Sequence, residues 1–385
     1  MIAYNTDWLD ALLTQDAARD WHEKGLISDE KWQAVRARHK ANFYSPNVFV
    51  RIGLAIFCYI LLLAAAGIVG MAVEPNSETG FALYCLFWGG VCFFVLERWA
   101  IRSARHRASG IDDVLLYTGI GAVVGGLIAL FDGPEPLVCC LIALPFLVWG
   151  SIRYADRLVA AASFGCVLLL ILLMVNEILP SLALYLLPFV GMAFSAAAYF
   201  FAQQGQGRWA WRHWHGPLGV VELLALVTFY ASGNYWVVQQ TGTEMFELEW
   251  APMGWFFWAF TFAVPVAYIV WGLRSKNRHL LDVGLGCVVA AIFSFRYYHH
   301  VMPLAWAAVL GGAVMFATAY LTIRFLRKNA SPYTYEQDAE ASLLQEIEQQ
   351  LVEQGIGGPN APATATKPES LGGGQFGGGG AGGEF

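Results

Sequence analysis

Charge is what this sequence has least of. Only 14% of its 385 residues are Asp, Glu, Lys or Arg, while 57% are hydrophobic. A soluble domain carries about 25% charged residues, so the balance argues against a soluble fold and for a chain that crosses a bilayer repeatedly. The opening residues also lack the short basic stretch and apolar run of a cleavable secretory signal, so the first span, near Val48–Val73, is expected to be an uncleaved anchor. C-x-x-C pairs are missing. Cys58, Cys85, Cys92, Cys139, Cys140, Cys166 and Cys287 all lie in or beside apolar runs. That argues against a disulfide framework or a zinc site and for small buried side chains.

Catalytic signatures are missing as well. The chain has no G-x-S-x-G, no H-E-x-x-H, no G-x-x-x-x-G-K-[ST] and no G-x-G-x-x-G after a strand. GIGAVVGG, at 119–126, sits in an apolar helix and lacks the lysine of a phosphate loop. No catalytic set, cofactor or metal is expected.

What is present is a series of long apolar runs. A helix needs about 20 apolar residues to cross a bilayer core. Runs of that kind lie at 49–72, 80–97, 114–131, 136–152, 158–176, 180–202, 217–237, 253–273, 280–298 and 303–325. Their length and continuity exclude a β-barrel pattern. The expected fold is all-α, a polytopic integral membrane bundle of ten spans. With the N-terminus placed in the cytoplasm, all but one of the 23 Lys and Arg fall on the cytoplasmic side, Arg296 being the exception. This asymmetry predicts both termini inside. The expected divisions are a helical hairpin at 1–46, the spans at 47–328, an acidic helix at 329–355 and a disordered tail at 356–385.

A hairpin repeats. PFLVWGSIRYADRLVAAASFGC begins at Pro145 and PVAYIVWGLRSKNRHLLDVGLGC at Pro265. Each has a mid-span proline, Val-Trp-Gly, a basic turn and Gly-Cys. The sixth run has its own central proline, Pro188. Proline frees a carbonyl and bends the axis, which a membrane tolerates only where a neighbour or a cavity satisfies the freed group. The prolines therefore mark either a bent-helix cavity, as in transporters, or structural kinks in a duplicated hairpin. The two copies run in the same direction, so this is not an inverted repeat. Gly121 and Gly125, with Gly119 and Gly126 beside them, form a close-packing face suited to packing within the chain or to self-association.

Ionisable residues are absent from the span centres. Glu222 and Asp282 lie about one turn inside the cytoplasmic face, and Asp112 and Asp113 open the third span. They are expected either to neutralise nearby arginines or, for Glu222 and Asp282, to line a proton or cation path. On the outer side lie Arg296, His299 and His300, and an acidic loop offers Glu244, Glu247 and Glu249. Arg296 is expected to pair with loop carboxylates or lipid headgroups; the alternative is a site for a divalent metal or an anionic ligand. In GRWAWRHWHGP three tryptophans alternate with Arg and His, as expected of a headgroup belt.

At the N-terminus Thr6 is expected to cap one helix and Ser28 a second, with Gly25 between them. Residues 1–46 hold six basic and seven acidic side chains, which argues against nucleic-acid binding. The stretch WHEKGLISDEKWQAV followed by an apolar span resembles the opening of a bacterial multi-pass membrane family, domain of unknown function 2157. The resemblance implies an inner-membrane protein and lends no reaction or site residues. Beyond Lys328, Leu343, Leu344, Ile347 and Leu351 recur at helical spacing on an acidic helix. PNAPATATKPES reads as a linker. The final LGGGQFGGGGAGGEF resembles the glycine-rich, aromatic-punctuated tails of bacterial TPM-domain membrane proteins. That likeness implies an interaction device with Phe376 and Phe385 as anchors.

The expected partners are the lipid bilayer, a protein reached through the C-terminal helix and tail, and a second copy of the chain. The leading functional expectation is a non-enzymatic membrane scaffold or assembly factor. The alternative is a transporter or channel with a cavity beside Pro145, Pro188 and Pro265.

Overall fold

The computed structural model describes residues 2–131, 134–246 and 252–299, together with isolated helical positions between 309 and 324. The helices in order are α1 Thr6–Glu23, α2 Asp29–Arg38, α3 Val48–Val73, α4 Glu78–Val95, α5 Ile111–Ala129, α6 Pro136–Tyr154, α7 Arg157–Ile178, α8 Pro180–Gln206, α9 His215–Gly233, α10 Tyr235–Phe246, α11 Gly254–Ser275 and α12 Arg278–His299. Among the described residues no strand forms, and nine helices are long and apolar enough to cross a membrane. These are α3 to α9, α11 and α12. The fold is thus an all-α polytopic bundle. The tenth run, the acidic helix and the glycine-rich tail lie outside the continuously described residues.

One span is shorter than its hydropathy suggests. The run 217–237 breaks at Asn234, whose backbone is extended (φ −71°, ψ 128°). Its Oδ1 accepts hydrogen bonds from the amides of Trp236 and Val237, so it ends α9 and caps α10. Hydropathy cannot see this, because a local side-chain to backbone bond overrides a run of helix-compatible residues.

Each membrane helix is apolar all round, as expected where lipid surrounds it. No residue of α3 is buried, and its large side chains, such as Phe49, Phe57 and Met71, face outward. Hydrophobic burial does not drive helix association in lipid; close packing and hydrogen bonds do. Close packing is clearest between α4 and α5, where a Cβ on Gly126 would sit 2.9 Å from the Ala82 carbonyl oxygen. Gly119 also meets α4, whereas Gly121 and Gly125 face open space. The packing face of α5 is therefore 119/126 and not the expected 121/125.

The repeated hairpin is the core of a larger repeat. In the first unit α4 packs along α5 and α6 along α7; in the second α8 packs along α9 and α11 along α12. Each unit has a turn of non-α helix between its first two long helices: a π-helix at Leu96–Ile101 and a 3₁₀ turn at Trp209–Trp214. Each hairpin then turns on a left-handed residue, Ala155 or Lys276. An Asx residue follows each and caps the next helix: Asp156 for α7 and Asn277 for α12. Ten residues beyond each cap comes a cysteine, Cys166 and Cys287. The main departure is α10, inserted only in the second unit.

The N-terminal hairpin forms as the sequence implies, with one change. Asn5, not Thr6, caps α1, accepting from the amides of Asp7 and Trp8. Ser28 caps α2, and Gly25 adopts φ +72° at the turn. Asn5 precedes a residue already in helical conformation, so its carboxamide reaches the first free amides.

Candidate functional site

At the end of the bundle that carries α1, two polar arrangements stand out. The first docks the N-terminus. The Tyr4 hydroxyl donates to Asp112 Oδ2 at 3.4 Å, and the Ala3 amide donates to the Arg153 carbonyl at 2.8 Å. Burial pushes the Tyr4 phenol well above its ordinary range. Asp112 also takes the amides of Ala108 and Ser109 and the Ser109 hydroxyl. Leu9 packs with Leu96, Leu115, Tyr154 and Val159 in one apolar cluster. Further along α1, Asp10 accepts from Arg212 Nε and Nη2 and lies 2.8 Å from His213 Nε2. The Arg212 hydrogen bonds, with help from His213, hold the Asp10 carboxyl down at about 2. Arg105 stacks over Trp8, its guanidinium carbon 5.0 Å from the ring centroid.

The tryptophan-rich stretch is therefore a docking point for α1 and α6. Trp209 stays 78% exposed with Arg212 over its ring, while Trp214 Nε1 donates to the Ile152 carbonyl. Around it the acids divide. Asp113 pairs with Arg51 and Glu97 with Arg153, as boundary neutralisation requires. Asp112 and Glu222 do not: Asp112 caps backbone, and Glu222 is held by amides.

Glu222 forms the second arrangement. Its side chain is 1% exposed. Oε1 accepts from Gln203 Nε2 and Asn277 Nδ2, both at 2.7 Å, and Oε2 accepts from Gln206 Nε2 at 2.8 Å. Among the described residues no Lys, Arg or His forms an ion pair with it. Three neutral amides thus satisfy both oxygens, which a carboxylate in low dielectric demands. Asn277 cannot turn its amide round freely, because its Oδ1 takes the His279 amide at 2.9 Å as the cap of α12. That bond aims its NH₂ group at Glu222. Gln203, Gln206 and Asn277 carry no signal in hydropathy. Matching Asn277 to Asp156 in the repeated hairpin is the sequence cue that would have found one of them.

A cavity of about 230 Å³ is lined chiefly by Tyr199, Phe200, Phe229, Tyr268 and Trp271 with Leu226, and Glu222 is not among its walls. A second, of about 250 Å³, lies nearer the other end of α8, between Leu172, Asn176, Pro188, Ser232, Val238 and Thr241. Between the two along α8, Gly191 and Met192 are buried, and Met192 packs on Phe257 and Tyr235. A buried polar chain lies near the second cavity: Ser294 Oγ donates to Asn234 Oδ1, and Asn234 Nδ2 donates to the Tyr230 hydroxyl.

The three prolines do not converge. Pro145 is exposed on the outside of α6, Pro188 lines the second cavity, and Pro265 is fully buried. The Thr261 carbonyl, freed by Pro265, accepts a long hydrogen bond from the Tyr230 hydroxyl at 3.5 Å. Asp282 is exposed and pairs with Arg278 at 3.5 Å, making no hydrogen bond to Glu222. Arg296 lies partly buried on α12, which His299 ends. Glu244 accepts from Gln240 Nε2 on α10. His300, Glu247, Glu249, Phe376 and Phe385 lie outside the described residues, as does the His299 side chain. Among the described residues no three His, Cys, Asp or Glu side chains converge on a metal position. Comparisons with protein-family models, with curated proteins and with solved structures return no match.

Proposed function

We propose that this chain is a non-enzymatic scaffold or assembly factor of the bacterial cytoplasmic membrane, with both termini in the cytoplasm. It recruits a partner through its cytoplasmic ends. The observation that carries this reading is the clamp on α1. Tyr4, Leu9 and Asp10 tie the N-terminal hairpin to α5, to the cluster of Leu96 and Tyr154, and to Arg212. No residue of α2 is buried. The hairpin is thus a fixed platform whose second helix is largely exposed, and a protein bound there is held in register with the spans. The basic asymmetry of the loops supports the orientation. The C-terminal helix and tail, with Phe376 and Phe385 as aromatic anchors, supply the second contact. The test is co-purification from native membranes of the full chain, a chain ending after Gln354, and Trp32→Ala/Val35→Ala on α2. Loss of one stoichiometric partner from either altered chain supports the reading. Identical partner profiles in all three overturn it.

A transporter or channel is the second reading, favoured by the two cavities in file along α8 and α9. Their walls at Pro188 and Ser195 are seven residues apart, about 10 Å at helical rise, with Gly191 and Met192 packed between them. Cysteine placed at Ser232 and at Ala267, in a cysteine-free chain, reports access from each side. Labelling of both sites by an impermeant thiol reagent, each from one side only, is the expected result for alternating or gated access.

A further inference from the structure

The aromatic cavity is a cleft in the side of the bundle. Its flanking helices, α8 and α11, each pack against α9. Between them Ala225, Leu226 and Phe229 of α9 form the floor, with Leu280 of α12 beside them. Phe200 on α8 and Ala267 and Trp271 on α11 are exposed, so the mouth opens sideways, on the face that lipid covers. Among the described residues no charged side chain lines it. Two of the hydroxyls in its wall are already committed: Ser195 Oγ donates to the Gly191 carbonyl at 2.7 Å, and the Tyr268 hydroxyl to the Leu226 carbonyl at 3.0 Å. A buried water takes about three polar partners, and the remaining hydroxyl, that of Tyr199, falls short of that.

We propose that this cleft holds one acyl chain of an anionic phospholipid, whose headgroup phosphate is bound by Arg274. An apolar void at a lipid face forfeits dispersion contacts, and the nearest filler is a chain of the surrounding bilayer. The volume sets how much enters. A cavity of about 150 Å³ holds one benzene, so about 230 Å³ takes a segment of a single chain. A helix, about 10 Å across, does not fit. The headgroup argument rests on the mouth. Trp271 stands there 56% exposed, as tryptophan does at headgroup level. Arg274 follows three residues on, on the same face of α11, exposed and with no partner among the described residues. The turn into α12 adds Lys276 and Arg278 against a single acid, Asp282, which Arg278 holds. Glu222 is outside the wall, and three amides hold its carboxylate. The mouth is therefore basic, and a lipid of net negative charge gains an attraction there that a zwitterionic one lacks.

The proposal rests on the membrane-spanning fold and not on the scaffold reading. The test uses the full-length protein in nanodiscs. The probes are phosphatidylglycerol and phosphatidylcholine analogues with a diazirine midway along one chain, and peptide mass spectrometry reads the crosslinked residues. Bulk lipid reaches α3 but not the floor of the cleft, where Leu226 is 4% exposed. The expected result is labelling of Leu226 or Phe229, stronger with the phosphatidylglycerol analogue by about fivefold, the effect of one basic residue near a membrane surface. Arg274→Gln should remove that preference. Ala267→Trp, which fills the mouth, should stop floor labelling by both analogues. Labelling of α3 should stay unchanged in the two variants, which shows that each is folded and embedded. An unlabelled floor in the unaltered protein overturns the proposal and leaves the cleft to side chains of a second copy or of another protein. Equal floor labelling by the two analogues overturns it in favour of any lipid chain. A preference kept in Arg274→Gln, or floor labelling kept in Ala267→Trp, overturns it as well.

Discussion

Asp10 and Arg212 stand 202 positions apart in the chain and meet through two hydrogen bonds of 2.6 and 2.7 Å. The pair joins the first helix to the turn between α8 and α9, so the N-terminal hairpin reaches the second four-helix unit. Tyr4 meanwhile reaches Asp112 in the first. The N-terminal segment from Tyr4 to Asp10 therefore bridges both halves of the repeat.

The clamp has a defined pH range. The folded Asp10 carboxyl sits at about 2, against about 3.9 for an unperturbed aspartate. A carboxyl depressed on folding stabilises the fold fully above its unfolded value and loses that contribution as pH falls through the folded one. The clamp should hold from about pH 4 upward and fail between about pH 4 and 2. At neutral pH, Asp10→Asn should speed hydrogen exchange of the α1 amides several-fold, while Asp20→Asn, on the exposed face, should not. Unchanged exchange in Asp10→Asn would show that Leu9 and Tyr4 dock the helix without the ion pair.

Asp112 offers a larger effect because it is buried. Its carboxylate holds two backbone amides and the Ser109 hydroxyl, and takes the Tyr4 hydroxyl besides. Asp112→Ala leaves those donors without an acceptor, at about 1–3 kcal/mol. Tyr4→Phe removes one long bond and should cost about 0.5–1.5 kcal/mol. Thermal unfolding in detergent orders the two. A greater loss in Tyr4→Phe would mean that the ring, not the carboxylate, anchors this end.

How far the sequence shows this molecule depends on the kind of signal. Span number within the described residues and the hairpin repeat can be read from it, whereas the burial of Glu222 beside an exposed Asp282 cannot. Which face of each helix turns inward cannot. In α5 both Gly121/Gly125 and Gly119/Gly126 fit a packing motif, and only contact with α4 distinguishes them. Lipid and protein neighbours are equally apolar, so no amphipathic period marks the inner face. The partners of Glu222 are hidden for a related reason. Glutamine at a helix end looks like ordinary interface polarity until α11 and α12 bring Asn277 beside it.

The α5 face makes a direct comparison possible. Gly126→Ala would place a methyl 2.9 Å from the Ala82 carbonyl oxygen, and overpacking of that kind costs about 1–3 kcal/mol. Gly121→Ala meets nothing within 4 Å and gains helix propensity, so it should be neutral or slightly stabilising. Unfolding midpoints of the two variants settle which stripe packs. Equal destabilisation would place a further neighbour against Gly121, as in a self-associated form.

The Tyr230 bond to Thr261 makes the sharpest claim about the prolines. Pro265 has no amide to offer the Thr261 carbonyl, four residues earlier, so Tyr230 is its donor. Tyr230→Phe should then leave a buried carbonyl unpaired, at about 1–3 kcal/mol. Pro265→Ala restores the helical amide, so in that background the same Tyr230→Phe change should cost markedly less. The double-mutant cycle isolates the coupling even if Pro265→Ala itself loses packing. Additive losses would mean that Tyr230 serves mainly Asn234, whose Nδ2 it accepts at 2.9 Å, and that the carbonyl freed by Pro265 is satisfied without it.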